Sequence, residues 1–442
     1  MLIRLFVRLS IVLSGALGFL FWSSGPLNAQ QPPTTPQQQA CTTQGEPVIQ
    51  PVVNPAIFCS EYLVNDLPHS ATATITSIAY APPCDTMDQP YDWCGKLFFV
   101  RPAEGLVQWV GDFDPTTHQY TLHTFAEGLD TPNGLVWHNN SWYVASNQNI
   151  TQLKDENQDN RADELNILVD SLPHGAGGWT GSIGIGPDDR IYVSQGASCN
   201  ACQENDPRRA AILSYRLDGS AEQIYASGLR QPFDFAWHPT TGDMWTADNE
   251  RSHRGETSPL DELNHVPAAG LNFGWPACYE STDGPTTDLL LVTNATLPSS
   301  CENTTPPILT FPAHSSPGGM AFYNSSALPE LTGDLLIALQ GSWDNRMPIG
   351  YAVYRVCFDD AGELEICLDD NGNPLADSAG NPTSLERIVP TATAHPHFDD
   401  ITLSLQELGF YPDHPVGIAI SPEGKIAISI LEGRIIQLTP RP

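Results

Sequence analysis

Four arginines, Arg230, Arg251, Arg254 and Arg346, stand in or beside loops of a chain that has 19 Lys and Arg against 51 Asp and Glu. Guanidinium pairs bidentately with carboxylates, so such a cluster in an acidic protein points to an anionic ligand. The plain alternative pairs each arginine with a local carboxylate such as Glu250 or Glu256. A second constellation is Asp155, Asn157, Asp159 and Asp163, at positions one, three, five and nine of one short stretch. Hard oxygen donors alternating on a tight turn suit Ca²⁺. Asn160 takes the sixth position, where Gly is usual, and Asn166 the twelfth, where Glu is usual; a solvated acidic turn is the alternative. A third is His174, in a glycine-rich run ending at Trp179. One imidazole and one indole among glycines read as a candidate base with an aromatic wall, although a surface histidine is the commoner case. No nucleophile elbow, zinc-protease helix, phosphate loop or dinucleotide fingerprint occurs in a fitting context.

These groups lie far apart in sequence, so the elements between them must bring them together. One pattern recurs six times. It begins at Ile78, Leu135, Ile183, Phe235, Met320 and Ile418, with starts 57, 48, 52, 85 and 98 residues apart. Each copy is a short apolar strand, a turn rich in Pro, Gly, Asn or Asp, and a second apolar strand such as Trp142–Ala145 or Ile426–Ser429. Third strands follow, among them Ile150–Leu153 and Arg434–Leu438. Short strands at this period with no helical periodicity predict an all-β fold, a six-bladed β-propeller. The chain ends after a third strand, so the N-terminal stretch near Glu61–Val64 is expected to supply the last outer strand. In this topology the loops at 178–182, 228–232, 248–258, 314–318, 340–350 and 413–416 meet around one mouth of the central channel.

Composition limits the partners. A formal charge of −32 over 442 residues excludes the basic footprint that nucleic acid or an anionic membrane requires. Residues 1–29 read as a signal peptide, with Arg4 and Arg8 before a short apolar run and Leu27-Asn28-Ala29 as cleavage site; an uncleaved anchor is the alternative. No later stretch is long and apolar enough to span a bilayer. Residues 30–52 read as a Pro/Gln-rich linker and 53–442 as the propeller. Ten Cys in an exported chain predict disulfides. Neighbouring pairs are expected: Cys41/Cys59, Cys84/Cys94, Cys199/Cys202, Cys278/Cys301 and Cys357/Cys367. Cys199/Cys202 is read as a structural bridge rather than a redox or zinc half-site.

Several motifs together resemble the soluble PQQ-dependent sugar dehydrogenases, the glucose/sorbosone dehydrogenase family. They are Gly228-Leu229-Arg230-Gln231-Pro232, Asp261-Glu262-Leu263-Asn264 and Asn272-Phe273-Gly274-Trp275-Pro276. The run Ser198–Cys202, Asp206–Leu213, Phe311–Ser315 and Gly341-Ser342-Trp343 add to the likeness, which covers about residues 60–440. The resemblance implies a six-bladed propeller that binds the quinone PQQ and calcium. It implies hydride transfer from a sugar or related alcohol to the quinone, then electron delivery to an external acceptor. By motif, Arg230 corresponds to a cofactor-contacting arginine, with Gln231 where Asn is usual. Arg346, Gln340, His414 and Trp179 fall on the same rim. The loop at Glu250-Arg251 corresponds to one whose backbone carbonyls hold a catalytic calcium.

Three positions depart from that pattern. Gly178-Trp179-Thr180-Gly181 stands where the family has a His–His–Thr–Asn-like run that supplies the base. Gln340 replaces a basic residue and His414 an arginine. His174 is then the expected substitute base. Two main expectations follow: an exported quinoprotein oxidoreductase, or a propeller without turnover that binds a carbohydrate or partner at the same mouth. A propeller-type hydrolase or lactonase with a channel calcium is a third.

Overall fold

The computed structural model describes residues 41, 43–48, 53–65, 67, 74–87, 91–175, 180–252, 254–292, 297, 300–343, 345, 349–369, 371–377, 380–389 and 414–441. The expected signal peptide, most of the linker, and the site candidates Trp179 and Arg346 lie outside the described residues.

Each of the six sequence copies is the innermost strand of one antiparallel sheet. Blade one runs outward through Ile78–Tyr80, Leu97–Arg101, Leu106–Asp114 and Gln119–Ala126. Blade two is Gly134–His138, Ser141–Ala145, Ile150–Lys154 and Glu164–Val169. Blade three is Thr180–Ile185, Arg190–Gln195, Ala211–Arg216 and Gln223–Ser227, with Leu271–Asn272 added in parallel at its edge. Blade four is Pro232–Trp237, Met244–Asp248, Asp261–Val266 and Leu309–Phe311. Blade five is Pro317–Phe322, Leu335–Leu339, Ala352–Val356 and Leu385–Val389. Blade six takes Pro415–Ile420, Ile426–Ile430 and Arg434–Pro440 from the C-terminal end. Its outer strand is Phe58–Val64, as expected from the missing strand. The fold is therefore a six-bladed β-propeller.

The ring is held by close backbone approach inside and apolar packing outside. Inner strands touch so closely that side chains are excluded. A Cβ on Gly134 would fall 2.7 Å from Ile183 N, and one on Gly319 would fall 2.5 Å from Val416 O. Farther out, the cores lie between blades. Phe98 and Phe125 of blade one pack with Leu135 and Trp142 of blade two. Trp245 and Leu263 of blade four pack with Leu335 and Val356 of blade five. Burying each such side chain is worth about 1.5–3 kcal/mol, so the closure term is distributed around the ring.

Four of the five expected disulfides form: Cys41–Cys59, Cys199–Cys202, Cys278–Cys301 and Cys357–Cys367. The fifth expectation is corrected, because Cys84 and Cys94 are free thiols. Instead of bridging, the Cys94 sulfur accepts a hydrogen bond from Tyr91 N at 3.1 Å. Burial, with a hydrogen bond to Cys84, pushes the Cys94 thiol up to about 11. The insertion after blade five's third strand is built of turns on Asp359, Asp369 and Asp377, each closed through a positive-φ glycine, Gly362, Gly372 or Gly380. Among the described residues no helix is long and apolar enough to cross a membrane.

Candidate functional site

Arg230 sits in the loop that enters blade four. Its position is set from two sides. Asp248, the last residue of the blade's second strand, accepts hydrogen bonds from Arg230 N at 2.9 Å and Gln231 N at 2.6 Å. On the other side, Gly228 adopts φ +73, and a Cβ there would lie 2.3 Å from Asn272 Oδ1. The backbone of the Asn272–Pro276 motif clasps this loop: Phe273 N reaches Ser227 O at 2.9 Å and Trp275 N reaches Gly228 O at 3.0 Å. That motif is a buttress for the arginine loop.

The guanidinium of Arg230 is ringed by oxygens. Nη1 donates to Asn249 O at 3.1 Å and Glu250 O at 3.2 Å. Nε donates to Asn200 O and Nη2 to Asn200 Oδ1, both at 3.3 Å. Guanidinium has five N–H bonds, and these contacts account for four of them. Next to it the amide of Gln231 lies over Gly196, with Oε1 only 2.1 Å from where a Cβ would be. Gln231 is 9% exposed, and its Nε2 has no hydrogen-bond partner among the described residues.

Blade four carries a buried acid cluster beneath this loop. Asp248, Glu250, Asp261 and Glu262 are all buried. Asp261 ties three segments together, accepting from Glu250 N at 2.9 Å, Ser316 N at 2.8 Å and Ser315 Oγ at 3.2 Å. Burial pushes its carboxyl up to about 6. Burial also raises Asp248, Glu250 and Glu262, and the proximity of Glu250 adds to the rise in Asp248 and Glu262. Two carboxylates so close in low dielectric disfavour double ionisation. Glu262 accepts from Asn264 Nδ2 at 3.0 Å.

The contacts continue around the rim. Gln340 N donates to Ser316 O at 2.9 Å. Past it, the Trp343 indole stacks on the His414 imidazole of the loop entering blade six, at 4.3 Å between centroids. Tyr351 packs against the same imidazole and donates to Ser342 O. His414 Nδ1 meets Glu432 Oε1. Burial opposes ionisation of Glu432, but the bond to His414 outweighs it and the carboxyl lies below its ordinary value. Arg230, Gln231, Glu250, Gln340 and His414 are thus linked through a succession of loop contacts.

Other candidates sit elsewhere or are spent. Arg251 is 1% exposed, ion-paired with Asp288, and stacked over Tyr279 at 4.6 Å. Arg254 binds the same carboxylate. Asp288, supplied by the insertion, is thus shared by two arginines that were expected to face an anionic ligand, and Nε and Nη2 of Arg251 are buried without a hydrogen-bond partner among the described residues. His174 is exposed, and its Nδ1 meets Leu172 O of its own loop at 3.2 Å. At Gly181 a side chain is excluded, since a Cβ would fall 2.5 Å from Ser194 Oγ and 2.9 Å from Phe233 O.

The Asp155 loop lies on blade two's outer half. Asp155 accepts from Asp159 N at 3.1 Å and Asn160 N at 2.9 Å; Asp163 accepts from Glu156 N at 2.6 Å and Asn157 N at 3.0 Å. Asn160 adopts φ 68, the left-handed conformation for which this position normally requires Gly, so the departure at position six is absorbed. Among the described residues, one grouping of three His, Cys, Asp or Glu has ligand atoms within 4.8 Å of one another: Cys199, Cys202 and Glu204. Its sulfurs are spent in the disulfide.

Asn200, Asp248 and Trp343 belong to this site without having been singled out as ligand residues. Trp343 had a signal, as an indole in a loop assigned to the mouth. Asn200 stood in the Ser198–Cys202 motif, but its partners, 30 and 52 residues away, could not be read from spacing.

Residues 132–342 match the family Glucose / Sorbosone dehydrogenase. An uncharacterized protein of Borreliella burgdorferi is 25% identical over 264 residues, 55% of this chain and 65% of its own length. The aldose sugar dehydrogenase of Escherichia coli is 30% identical over 124 residues, 27% of this chain and 29% of its own. The chain therefore spans less than two thirds of either curated relative. Among solved structures, the calcium structure of Trichoderma reesei carbohydrate-active enzymes family AA12 superposes with TM-score 0.63 at 20% identity, covering 86% of this chain and 96% of the other. The holo form of the pyranose dehydrogenase PQQ domain from Coprinopsis cinerea gives TM-score 0.62 at 18% identity, covering 86% and 95%. These structural likenesses are of fold.

Proposed function

We propose, from the match of residues 132–342 to the Glucose / Sorbosone dehydrogenase family, an exported oxidoreductase that oxidises a sugar or related alcohol with a bound PQQ-type quinone. The observation that carries the reading is the partly buried guanidinium of Arg230, which keeps one N–H uncommitted among the described residues next to the buried amide of Gln231. Guanidinium pairs strongly with a ligand carboxylate. The remaining N–H of Arg230 fits the same anion, and the exposed indole of Trp343 offers a flat apolar wall. The quinone, when bound, supplies the acceptor for the substrate hydride.

The reaction also needs a group to take the hydroxyl proton. His414 is oriented by Glu432 through Nδ1, which leaves Nε2 as the basic nitrogen. Among the described residues, no carboxylate orients His174, the candidate from sequence. The geometry therefore favours His414 over His174 in this role. The Arg346 and Trp179 contacts remain part of the proposal, as does an external electron acceptor.

Calcium was expected at two places. Around the carbonyls of Asn249 and Glu250 the guanidinium of Arg230 itself stands as the cation. The residues there do not fit a calcium ion, and no step is assigned to one. The turn of Asp155, Asn157, Asp159 and Asp163 has the donor set of a calcium loop, and calcium is proposed there as a structural ion. Four disulfides support an oxidising compartment.

Reconstitution tests the function. Purified protein titrated with PQQ, with and without Ca²⁺, is expected to give a saturable cofactor absorbance change and dye reduction with a subset of aldoses or alcohols. Absence of quinone binding overturns the reading. Binding without turnover on any substrate favours the carbohydrate-binding propeller instead.

A further inference from the structure

Two of the four oxygens around the Arg230 guanidinium belong to one residue, Asn200. The same side chain is locked to the loop that supplies the other two. Asn200 Oδ1 accepts from Ser252 N at 2.9 Å, and Nδ2 donates to Ser252 O at 2.9 Å. Asn200 therefore couples the guanidinium to the segment after blade four's second strand. It does so from within a ring closed by Cys199–Cys202, three residues apart. That ring is anchored from behind. Glu204 accepts from both N and Oγ of Ser198, at 2.5 and 2.7 Å, and Cys199 packs on the cluster of Ala197, Ala210 and Trp275. Of the bridges among the described residues, this one alone encloses a residue bonded to Arg230.

We propose that the Cys199–Cys202 disulfide is a positioning element that makes Asn200 a clamp on Arg230, and that reduction of the bridge releases the guanidinium and weakens quinone binding. The clause about the quinone rests on the functional reading above; the clamp does not. Closing a short ring removes backbone freedom that Asn200 would otherwise have to lose on forming its four hydrogen bonds. Both cysteines are partly exposed, so a small dithiol can reach them. Its thiolate attacks one sulfur to give a mixed disulfide. Its second thiolate then displaces the protein sulfur, leaving two protein thiols and a cyclic oxidised reductant, with two electrons transferred. Asn200 is a positioning residue, acting through Arg230.

The test reads the guanidinium directly. Purified full-length protein is treated with phenylglyoxal, an arginine-selective dicarbonyl, and modification of Arg230 is followed by peptide mass spectrometry. Asn200→Ala and the double variant Cys199→Ser/Cys202→Ser are each expected to speed modification about tenfold, the effect of losing a hydrogen bond to a charged group. Cys357→Ser/Cys367→Ser, which opens a bridge in the blade-five insertion, is expected to match wild type. Rates that match wild type in Asn200→Ala overturn the clamp, and an unchanged rate in the cysteine variant with a fast Asn200→Ala overturns the part assigned to the disulfide. If the cysteine variant does not fold, wild type reduced by dithiothreitol, with its fold checked by circular dichroism, takes its place. PQQ titration is read separately. Wild type that does not bind PQQ overturns the functional reading and leaves the labelling result standing. Wild type that binds, with Asn200→Ala binding equally well, overturns the link to the quinone. In an Arg230→Lys background Asn200→Ala is expected to cause no further loss of affinity, because the two act as one unit.

Discussion

Trp343 and His414 lie face to face, their ring planes within 1° of parallel, although one residue lies between the second and third strands of blade five and the other enters blade six. The indole is 65% exposed, so its outer face is available while its inner face is fixed by the imidazole. A rigid, half-solvated aromatic plate at the rim of an otherwise acidic protein is what a planar or sugar ligand needs. Trp343→Ala is expected to raise the KM for substrate, or the Kd for PQQ, about tenfold, with Trp343→Phe intermediate. Steady-state kinetics and quinone titration check this, and values unchanged in Trp343→Ala would remove the plate from the site.

The same imidazole separates the two candidate bases. His414→Gln is expected to lower kcat by about 10²-fold or more with a smaller change in KM, and Glu432→Gln to follow it in the same direction. His174→Ala is expected to leave kcat unchanged. The opposite order of effects would return the role to His174.

The buried carboxyls of the ring make stability depend on pH. Burial raises Asp261 and Asp234 to about 6, and raises Asp248, Glu250 and Glu262 as well. A folded pKa above the unfolded one means that the folded state binds protons more tightly. The contribution is complete below an unfolded pKa of about 4 and is lost as pH rises through the folded value, about 1.4 kcal/mol per pH unit for each proton involved. Urea midpoints are therefore expected to fall from pH 4 to 6, and further where Asp248 and Glu262 titrate. Glu262→Gln is expected to flatten that decline; a midpoint that climbs over this range would contradict the assignment.

Arg251 and Asp288 form an ion pair in which both side chains are 1% exposed. Removing one member leaves the other charge buried. Asp288→Ala is expected to cost about 3–5 kcal/mol in chemical denaturation, more than Arg254→Ala at the partly exposed arginine sharing that carboxylate. A loss below about 1 kcal/mol would mean that the insertion relaxes to solvate Arg251.

Gly319→Ala probes the channel wall. The added methyl would stand 2.5 Å from Val416 O and 2.6 Å from Gly417 Cα, both backbone atoms. Destabilisation of about 1–3 kcal/mol is expected from overpacking. An unaffected melting temperature would show that the blades can separate locally at no cost.

The six inner strands, their partners and the closing strand Phe58–Val64 were legible in the linear order of residues. Alternating apolar positions and turn residues act over a few positions along the chain, and a repeat reports them six times. The loops that share the rim followed from topology alone, so Arg230, Gln340 and His414 could be assigned to one mouth. Which arginine is free to meet a ligand could not be read that way. Arg251 is ion-paired with Asp288, 37 residues on, and Arg230 is hydrogen-bonded by Asn200, 30 residues back. Nor does spacing reveal that Cys84 and Cys94 remain thiols while four other neighbouring pairs are bridged. Local patterning sets strands and turns because it depends on what each residue is; partnership between charges, amides and thiols depends on which segments the closed ring carries to the same place, and that is decided only when the blades pack.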